Sequence, residues 1–365
     1  MRDTAPDGHT ALEHLRAAAL VAAHGSDSLD PFALRADKRF HFAGGGMLAY
    51  RVIRGTAVVS GDPIGPRDSA PEILDSFAAL ARQRGWSVAL TGASERHLDA
   101  YGSLGLRALQ MGSEAVVDPQ SFSLEGRPVR KVRQSVARIR RRGWSVEVVD
   151  ARALEPGAAA ALEAIERSWR AAQSRVVGFA MTLGRLWSGD DDADGLCVLA
   201  RSPDGELRAY LHFVRYEGGL SLDVMRRLGE EPNGLNEAMV VAALEHARAA
   251  GLREVSLNFA GCAHLMAPDD RPTLRRRLAR LALRRVHGRF QLERLVHFND
   301  KFFPVWRPRY FVYPGRARLP LAALRVLQAE GYVRAPARPP LTSGWRPAPT
   351  PPSQPLTVAR SAASR

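Results

Sequence analysis

The composition describes a folded and strongly basic chain. It has 365 residues, 45% of them hydrophobic, and its 52 Lys and Arg against 38 Asp and Glu give a formal net charge of +14. This length favours two domains, and the charge favours anionic partners: nucleic acid, an anionic membrane surface, or both. Cys197 and Cys262 have no metal-ligand spacing, so we expect a reduced cytosolic protein with no disulfide and no metal site.

The N-terminal segment predicts a helix and no membrane span. Thr10 to His24 has a helical pattern, and its longest apolar run, Ala17 to Ala23, is far shorter than the roughly 20 residues that cross a bilayer. Glu13 and His14 precede this run, without the basic region and cleavage site of a signal peptide. We therefore expect a soluble protein.

Short strands and turns alternate through the first half. The strands are predicted at Phe40 to Phe42, Met47 to Ile53 and Thr56 to Ser60. Gly44 to Gly46 predicts a hairpin turn between the first two, and Asp62 to Pro66 is a turn that cannot continue the third. A helix from about Pro71 to Arg84 follows, and Trp86 to Leu90 has the apolar run of a buried strand.

The second half repeats the order of strand, loop, helix and strand. Leu220 to Met225 predicts a strand, Leu235 to Ala249 a helix and Glu254 to Phe259 a second strand. The helices of both halves end before a glycine, Gly85 or Gly251, which permits the left-handed conformation of a helix C-cap. Two copies of one αβ unit are therefore predicted.

Two basic runs without an acidic residue follow helical spacing. The first is Arg127 to Arg142, and the second spans about Thr273 to Val286. The first has an inward apolar stripe formed by Val129, Val132, Val136 and Ile139. Either run alone is also explained as a solvated helix face, but two of them favour a phosphate-binding surface. The basic residues assigned to this surface are Arg130, Lys131, Arg133, Arg138, Arg140, Arg141, Arg276, Arg277 and Arg280.

The densest cluster of aromatic, proline and cationic residues extends from His297 to Phe311. It predicts a rigid loop that enters a short strand, with a purely structural corner as the alternative. Other segments precede it in a definite order: Phe32 to Lys38, Ser60 to Gly65, Ser221 to Arg226, and Asn233-Gly234 before a helix. Together they resemble the catalytic domain of the phosphatidylglycerol lysyltransferases, the aminoacyl-tRNA-dependent lipid aminoacylases, from about Leu12 to about Tyr332.

The resemblance implies an α+β fold of the α/β three-layer type, with tandem GNAT-like (N-acetyltransferase-type) subdomains joined by a basic helix. We predict a first subdomain at 10–125, the basic helix at 126–143, and a second subdomain with the catalytic site at 144–332. A disordered tail is predicted at 333–365, because the last 32 residues hold eight prolines and no periodicity. Family members often carry an N-terminal membrane domain, and we expect this chain to lack it, together with lipid translocation.

Asp223 and Arg226, three residues apart at the end of a predicted central strand, are the leading catalytic candidates. By resemblance to the family's Asp-x-x-Arg element, Asp223 would bind the amino group of the aminoacyl moiety, and Arg226 would neutralise phosphate or oxyanion charge. A surface ion pair is the alternative. Lys301 matches the lysine of the family's Lys-Phe-x-Pro-x-Trp element and would meet a phosphate or the oxyanion, unless it only covers Phe302 and Trp306.

Substrate-binding roles are expected for several further residues. Phe179 stands where the family has a segment near the aminoacyl pocket, with burial in the core as the alternative. Glu166 is a candidate for proton transfer or a structural residue. The complete expected set is Phe179, Glu166, Asn233, Arg309 and Tyr310. The sequence has no Ser nucleophile elbow and no His pair with metal-ligand spacing, so serine hydrolase and metalloenzyme functions lack support.

The turns after the two central strands disfavour coenzyme A. An acetyltransferase of this fold binds the pyrophosphate with a compact glycine-rich turn that opens a helix. The turns here, Asp62 to Arg67 and Arg227 to Gly234, lack that composition, and Glu230 and Glu231 would repel a pyrophosphate. We therefore expect no cofactor, with aminoacyl-tRNA as the donor co-substrate.

The family resemblance implies an enzyme that transfers an amino acid from aminoacyl-tRNA to the hydroxyl group of a membrane lipid. Phosphatidylglycerol is the expected acceptor, and lysine, the commonest donor in the family, is the expected amino acid. We expect a cytoplasmic protein that associates peripherally with anionic phospholipid at the inner face of the membrane. The alternatives are aminoacyl transfer to a non-lipid acceptor, acyl transfer from coenzyme A, and a non-catalytic protein that binds RNA or anionic lipid.

Overall fold

A computed structural model of the chain describes residues 10–172, 179–183, 195–229, 231–261 and 289–333. Its α-helices are α1 (Ala11–His24), α2 (Ala70–Gln83), α3 (Leu98–Ser103), α4 (Arg130–Arg141), α5 (Pro156–Ala172), α6 (Leu235–Ala249), α7 (Arg289–Asp300) and α8 (Leu319–Ala329). Cys262, the second basic run and almost all of the predicted tail lie outside the described residues.

The described strands form one continuous sheet. They are β1 (Arg39–Ala43), β2 (Gly46–Ile53), β3 (Thr56–Ser60), β4 (Ser87–Ala93), β5 (Arg107–Val117), β6 (Ser145–Asp150), β7 (Gly195–Arg201), β8 (Leu207–Tyr216), β9 (Gly219–Arg227), β10 (Glu254–Gly261) and β11 (Val305–Tyr313). Their spatial order is β1-β2-β3-β4-β11-β5-β10-β9-β8-β7-β6.

Local sequence signals explain where the first elements begin and end. Thr10 and Glu13 form a reciprocal capping box at the start of α1, which satisfies two backbone N–H groups. Gly44 and Gly45 both have positive φ and join β1 to β2, so the predicted hairpin turn is confirmed. The helix predicted at Leu235 to Ala249 is α6, with the same bounds.

The αβ repeat predicted from the sequence is confirmed. In the first half, β3 and β4 are parallel neighbours that are connected through α2. In the second half, β9 and β10 are parallel neighbours that are connected through α6. Each half therefore has the strand, helix, strand unit that places a loop at the carboxyl end of a central strand.

The two halves exchange strands at the centre of the sheet. β11 belongs to the second half of the chain but lies between β4 and β5, while β5 of the first half lies between β11 and β10. The subdomain predicted at 10–125 therefore contributes β5 to the sheet of the second half. The subdomain predicted at 144–332 contributes β11 to the sheet of the first half. The sheet runs through both predicted subdomains without a break.

The rigid loop entering a short strand that is predicted over His297 to Phe311 is found in part, because residues 301–304 lead into a strand but the first residues of the segment are helical. His297 to Asp300 form the end of α7, and the nine-residue strand β11 begins at Val305. Pro308 lies inside this strand, where β5 pairs with it on one side and β4 pairs only from Tyr310 onward. A proline is tolerated there because, among the described residues, no strand pairs with that edge at this point.

Helices cover both faces of the sheet. α2, α4 and α6 pack on one face, and α5 and α8 pack on the other. Alternate residues of β11 show the division, since Trp306 and Val312 pack with the first layer and Phe311 with the second. The molecule is thus the three-layer α+β fold with tandem GNAT-like halves that the sequence predicts.

Candidate functional site

The candidate site lies where the two central strands of the second half separate. β9 and β10 pair only from Gly219 to Ser221, and beyond this point no pairing joins them. β9 also has a bulge at Asp223, because its neighbours Leu222 and Val224 pair with consecutive residues of β8. A bulge turns a side chain away from the regular alternation of a strand, and here that side chain is a carboxylate.

The Asp223 carboxylate is held by protein groups on every side. One oxygen, Oδ1, accepts hydrogen bonds from Thr182 Oγ1 at 2.6 Å and from the Leu183 backbone N–H at 2.9 Å. The other, Oδ2, lies 3.0 Å from His212 Nδ1. The Asp223 side chain has 0% exposed surface. In this conformation Asp223 therefore anchors the segment 179–183, which we term the 179–183 strap.

A second residue fixes the strap across the gap between the strands. Asn258 in β10 has a left-handed backbone, with φ of 70°. Its side-chain amide donates to Met181 O at 2.8 Å in the strap and to Leu222 O at 2.7 Å in β9. The strap is thus bound to both of the strands that separate at the site.

The Arg226 guanidinium is preorganised by an aromatic ring and a carboxylate. It lies 3.6 Å from the centre of the Trp169 ring, and its Nε donates to Glu166 Oε2 at 2.9 Å. Tyr210 and Arg170 donate to the same carboxylate at 3.2 and 2.6 Å. Burial alone would raise the pKa of Glu166, but the hydrogen bond from Arg170 and the charge and hydrogen bond of Arg226 outweigh it and lower that pKa. Glu166 is therefore a carboxylate whose contacts position Arg226.

Arg226 keeps donors that the described residues do not use. Besides Nε, it donates to Met225 O through Nη1 at 3.2 Å. A guanidinium has five N–H groups, so the remaining ones can meet a phosphate or a developing oxyanion. The side chain is 16% exposed, and it lies on the α5 face together with Tyr210 and His212.

Lys301 lies away from Asp223 and Arg226. Its Nζ donates to Glu237 Oε1 at 2.7 Å in the first turn of α6, and it lies 5.3 Å from the Phe298 ring centre. Phe298 and Phe302 pack on the face that α4 and α6 cover, opposite to α5. Lys301 is therefore near the N-terminus of α6, where a phosphate group gains from the helix dipole.

Phe179, predicted near the aminoacyl pocket, is fully buried in the strap. Its backbone N–H donates to Glu330 Oε2 at 2.6 Å, and its ring lies 4.7 Å from Lys38 Nζ. Lys38 is itself buried and donates to Ser60 Oγ at 2.6 Å. Burial lowers the pKa of Lys38 to about 7, and burial raises the pKa of Glu330. Lys38 thus links the strap to the first half of the chain, and Glu330 links it to the end of α8.

Arg309 and Tyr310, which are expected to bind substrate, use their polar groups in hydrogen bonds to other side chains of the protein. Arg309 is 3% exposed, and its guanidinium donates to Glu114 and to both carboxylate oxygens of Asp27. Burial would raise the pKa of Asp27, but the charge and hydrogen bond of Arg309 outweigh it and lower that pKa to about 2. Tyr310 donates to Glu95 at 2.8 Å. None of these contacts involves Asp223 or Arg226. Arg309 and Tyr310 lie in β11, where the two halves exchange strands.

The first basic run forms α4 as expected, with its basic residues on the outside. Val132, Val136 and Ile139 are buried against the α6 layer, which confirms the inward stripe. Arg133 donates to two carbonyl groups of the preceding loop and so supports that loop. Ser135 packs on Gly234 at the start of α6, which places α4 beside the end of the helix near Lys301. Arg276, Arg277 and Arg280 lie outside the described residues.

In the loop before α6, one of the two glutamates expected to repel a pyrophosphate is paired with an arginine. Glu231 Oε1 accepts from Arg208 Nε at 3.0 Å, so its repulsion of a pyrophosphate is offset by that arginine. Glu230 lies outside the described residues, and Asn233 is exposed next to Gly234, whose φ is 104°.

Sequence reasoning missed His212, Thr182 and Asn258. His212 is buried beside Asp223, and its Nε2 has no hydrogen-bond partner among the described residues. The single signal in the sequence is a histidine directly flanked by apolar residues, Leu211 and Phe213, inside a strand. Asn258 gives a similar signal in β10, since an amide in a parallel central strand is unusual.

Neither a metal cluster nor a membrane-spanning helix is found in the part of the chain that the structure describes. No group of three or more His, Cys, Asp or Glu residues there has the arrangement of a metal site. None of the helices there is both long and apolar enough to cross a bilayer. Cys197 is buried, and burial raises the pKa of its thiol to about 12.

Comparison with known proteins decides the family. The model for the phosphatidylglycerol lysyltransferase C-terminal family matches residues 18–313. The chain belongs to this family. The resemblance read from the sequence motifs is thereby confirmed.

The relatives of this family member include much longer proteins. The chain is 38% identical over 327 residues to the lysylphosphatidylglycerol biosynthesis bifunctional protein LysX of Rhodococcus opacus, covering 87% of this chain and 29% of that protein. It is 38% identical to the LysX protein of Mycobacterium marinum, covering 85% and 28%. The chain thus spans less than a third of the length of these relatives. The solved structure of L-PGS from Bacillus licheniformis has the same fold, with a TM-score of 0.75, 23% identity and coverage of 87% of this chain and 96% of that one.

Proposed function

We propose that this chain transfers the aminoacyl group of an aminoacyl-tRNA to a hydroxyl group of phosphatidylglycerol. The relatives named above act in lysylphosphatidylglycerol biosynthesis, which supports this acceptor and supports lysine as the amino acid. The structural observation that supports a transfer site is Arg226, stacked on Trp169 and held by Glu166 beside the separating strands.

The reaction exchanges one ester for another, so the protein needs to position groups and stabilise charge. The lipid hydroxyl oxygen forms a bond to the ester carbonyl carbon, and the bond to the ribose oxygen of tRNA breaks. The hydroxyl proton ends on that ribose oxygen. The remaining N–H groups of Arg226 are proposed to stabilise the oxyanion that forms between these steps. Because Glu166 and Trp169 already fix the guanidinium, little reorganisation is needed when the charge appears.

Asp223 is proposed to bind the α-ammonium of the donor. Three hydrogen bonds occupy its carboxylate, and a carboxylate has about four acceptor positions, so one position is left. The 179–183 strap covers it, and binding of the amino group requires this strap to withdraw. His212 is then a positioning residue, since it holds Oδ2 while the strap moves.

The phosphates of the tRNA acceptor end are proposed to lie on α4 and at the start of α6. Arg138, Arg140 and Arg141 extend the positive surface of α4, and Lys301 is 38% exposed beside Glu237. Backbone N–H groups at a helix N-terminus add to such a surface.

Arg226→Lys in the purified protein tests this function. We expect turnover with charged tRNA and phosphatidylglycerol vesicles to fall by at least about 10²-fold, because lysine offers no planar fork for an oxyanion and stacks poorly on Trp169. Arg208→Lys, in the neighbouring strand, is the matched control and should retain turnover because the described contacts of its side chain are with Glu206 and Glu231. Wild-type turnover in a folded Arg226→Lys variant would remove Arg226 from the reaction.

A further inference from the structure

The outer surface of α8 is apolar although it faces solvent. Leu321, Leu324 and Leu327 are 47%, 37% and 42% exposed, at a spacing of three residues that keeps them on one side of the helix. The opposite side of α8 carries Ala322 and Val326, which are buried against the sheet. The helix is therefore apolar on both sides, and only one of them is covered in the described structure.

The flanks of this apolar surface are basic. Between Pro314 and Ala329 the sequence has Arg316, Arg318 and Arg325 and no acidic residue. Arg316 and Arg318 are exposed in the short turn that leads into α8. An amphipathic helix with an apolar stripe, basic flanks and no acid has the composition that binds at an anionic lipid interface.

Glu330, the first acidic residue after the segment from Pro314 to Ala329, is buried. Glu330 is 8% exposed and accepts from the Phe179 backbone N–H in the strap. Phe179 and Ala180 pack in one cluster with Ala322 and Val326 of α8. The inner side of α8 therefore contacts the same strap that covers Asp223, on one face of the sheet.

We propose that α8 docks this protein on an anionic phospholipid bilayer, with the three leucines inserted among the acyl chains and Arg316 and Arg318 on lipid phosphates. The lipid as reaction partner rests on the proposed function, whereas the docking itself rests on the exposed leucines and the charge of their flanks. Docking through α8 turns the sheet face that carries the strap and Asp223 toward the lipid.

Vesicle co-sedimentation of the full chain with matched leucine variants tests the docking. Leu324 in α8 and Leu295 in α7 are both 37% exposed, and α7 packs on the opposite face of the sheet through Phe298. Vesicles of phosphatidylglycerol with phosphatidylcholine should bind Leu324→Glu at least about tenfold more weakly than the wild type, and Leu295→Glu within about twofold of it. The triple change Leu321→Glu, Leu324→Glu and Leu327→Glu should abolish sedimentation.

Three further outcomes test the docking and the occupant of this surface. Replacement of Arg316 and Arg318 by Gln should remove the preference for phosphatidylglycerol over phosphatidylcholine vesicles. Equal vesicle binding by Leu324→Glu and Leu295→Glu would overturn the proposal. A wild-type dimer that the triple change converts to a monomer, at unchanged vesicle binding, would assign α8 to a second copy of the chain and would overturn it also.

The vesicle measurement contains no donor, so it is independent of turnover. If the proposed aminoacyl transfer is wrong, the difference between the two leucine variants remains. If the docking is wrong, the wild type still forms aminoacyl lipid while the two variants bind alike.

Discussion

The carboxylate of Asp223 can be changed in two ways that separate its charge from its structural contacts. Asp223→Ala removes the acceptor for the Leu183 N–H and the partner of His212, and both groups are buried. An unsatisfied buried polar group costs about 1–3 kcal/mol, so the loss in the free energy of unfolding should be about 2–6 kcal/mol. Asp223→Asn keeps an oxygen for Leu183 and presents an amide to His212, so its loss should be about 1 kcal/mol.

The two Asp223 variants should differ in stability but should both lose turnover. If the carboxylate charge holds the donor ammonium, the Asn variant loses it while the strap remains anchored, and turnover should fall by at least about 10²-fold. Thr182→Val is the matched control, because it removes one hydrogen bond to Asp223 and leaves the charge. It should cost about 1 kcal/mol of stability and leave turnover within about fivefold of the wild type.

Urea unfolding followed by circular dichroism gives the stabilities, and the rate of radiolabelled aminoacyl-lipid formation under saturating donor gives turnover. A folded Asp223→Asn variant with wild-type turnover would refute the reasoning. It would show that Asp223 serves only to anchor the 179–183 strap.

Three further changes test other parts of the molecule. Lys301→Met should lower aminoacyl transfer at least about tenfold while Glu237→Gln stays within about threefold, and equal losses would make the pair a structural contact. In α4, replacing three arginines by Gln should reduce the slope of log Kd for tRNA against log salt by about 2, since each lost phosphate contact removes roughly 0.7. The arginines replaced are Arg138, Arg140 and Arg141, and an unchanged slope would make this a solvated helix face. The exposed residues Arg67, Arg84 and Arg107, changed likewise, serve as the control and should leave the slope unchanged. Burial lowers the pKa of Lys38 from 10.5 to about 7, so the unfolded state holds more protons between these values and stability rises with pH. The contribution is at most about 1.4 kcal/mol per pH unit, and in urea unfolding Lys38→Met should flatten the rise while the exposed Lys131→Met should not.

The elements with strong local signals are those that the sequence predicted correctly. The stripe of Val132, Val136 and Ile139 gives α4, and the run from Leu235 to Ala249 gives α6 with its correct bounds. The repeat of two αβ units followed from the same local patterns. Each of these features depends on neighbours within about four residues, which a sequence displays directly.

The features that escaped prediction depend on residues distant in the chain. The pairing of Arg307 in β11 with Glu114 in β5 joins residues that are far apart in the chain, and the sequence of neither strand indicates this partner. The aromatic and proline density around Pro308 predicted a rigid loop entering a short strand, but it did not show that this strand has nine residues and pairs with β5 along its length and with β4 from Tyr310 onward. Burial of Arg309 by Asp27 likewise follows only from the strand exchange.

The sequence names candidate residues for the site but does not show how they are arranged. Asp223 and Arg226 were chosen as candidates through their motif. The sequence did not indicate the bulge at Asp223, which interrupts the regular alternation of side chains in β9. Lys301 shares the motif evidence but lies on the other face of the sheet. His212 gave only the weak signal of a histidine between two apolar residues, although it contacts Asp223 directly.

The identity of the donor tests the proposed function most directly. The purified chain would be given phosphatidylglycerol vesicles with either lysyl-tRNA or acetyl-coenzyme A, and the lipids would be analysed by mass spectrometry. A parallel sample would receive lysyl-tRNA that ribonuclease had destroyed before the protein was added. We predict lysyl-phosphatidylglycerol only from intact lysyl-tRNA. Acetylated product from acetyl-coenzyme A, or aminoacyl lipid that forms after the ribonuclease treatment, would contradict the proposal.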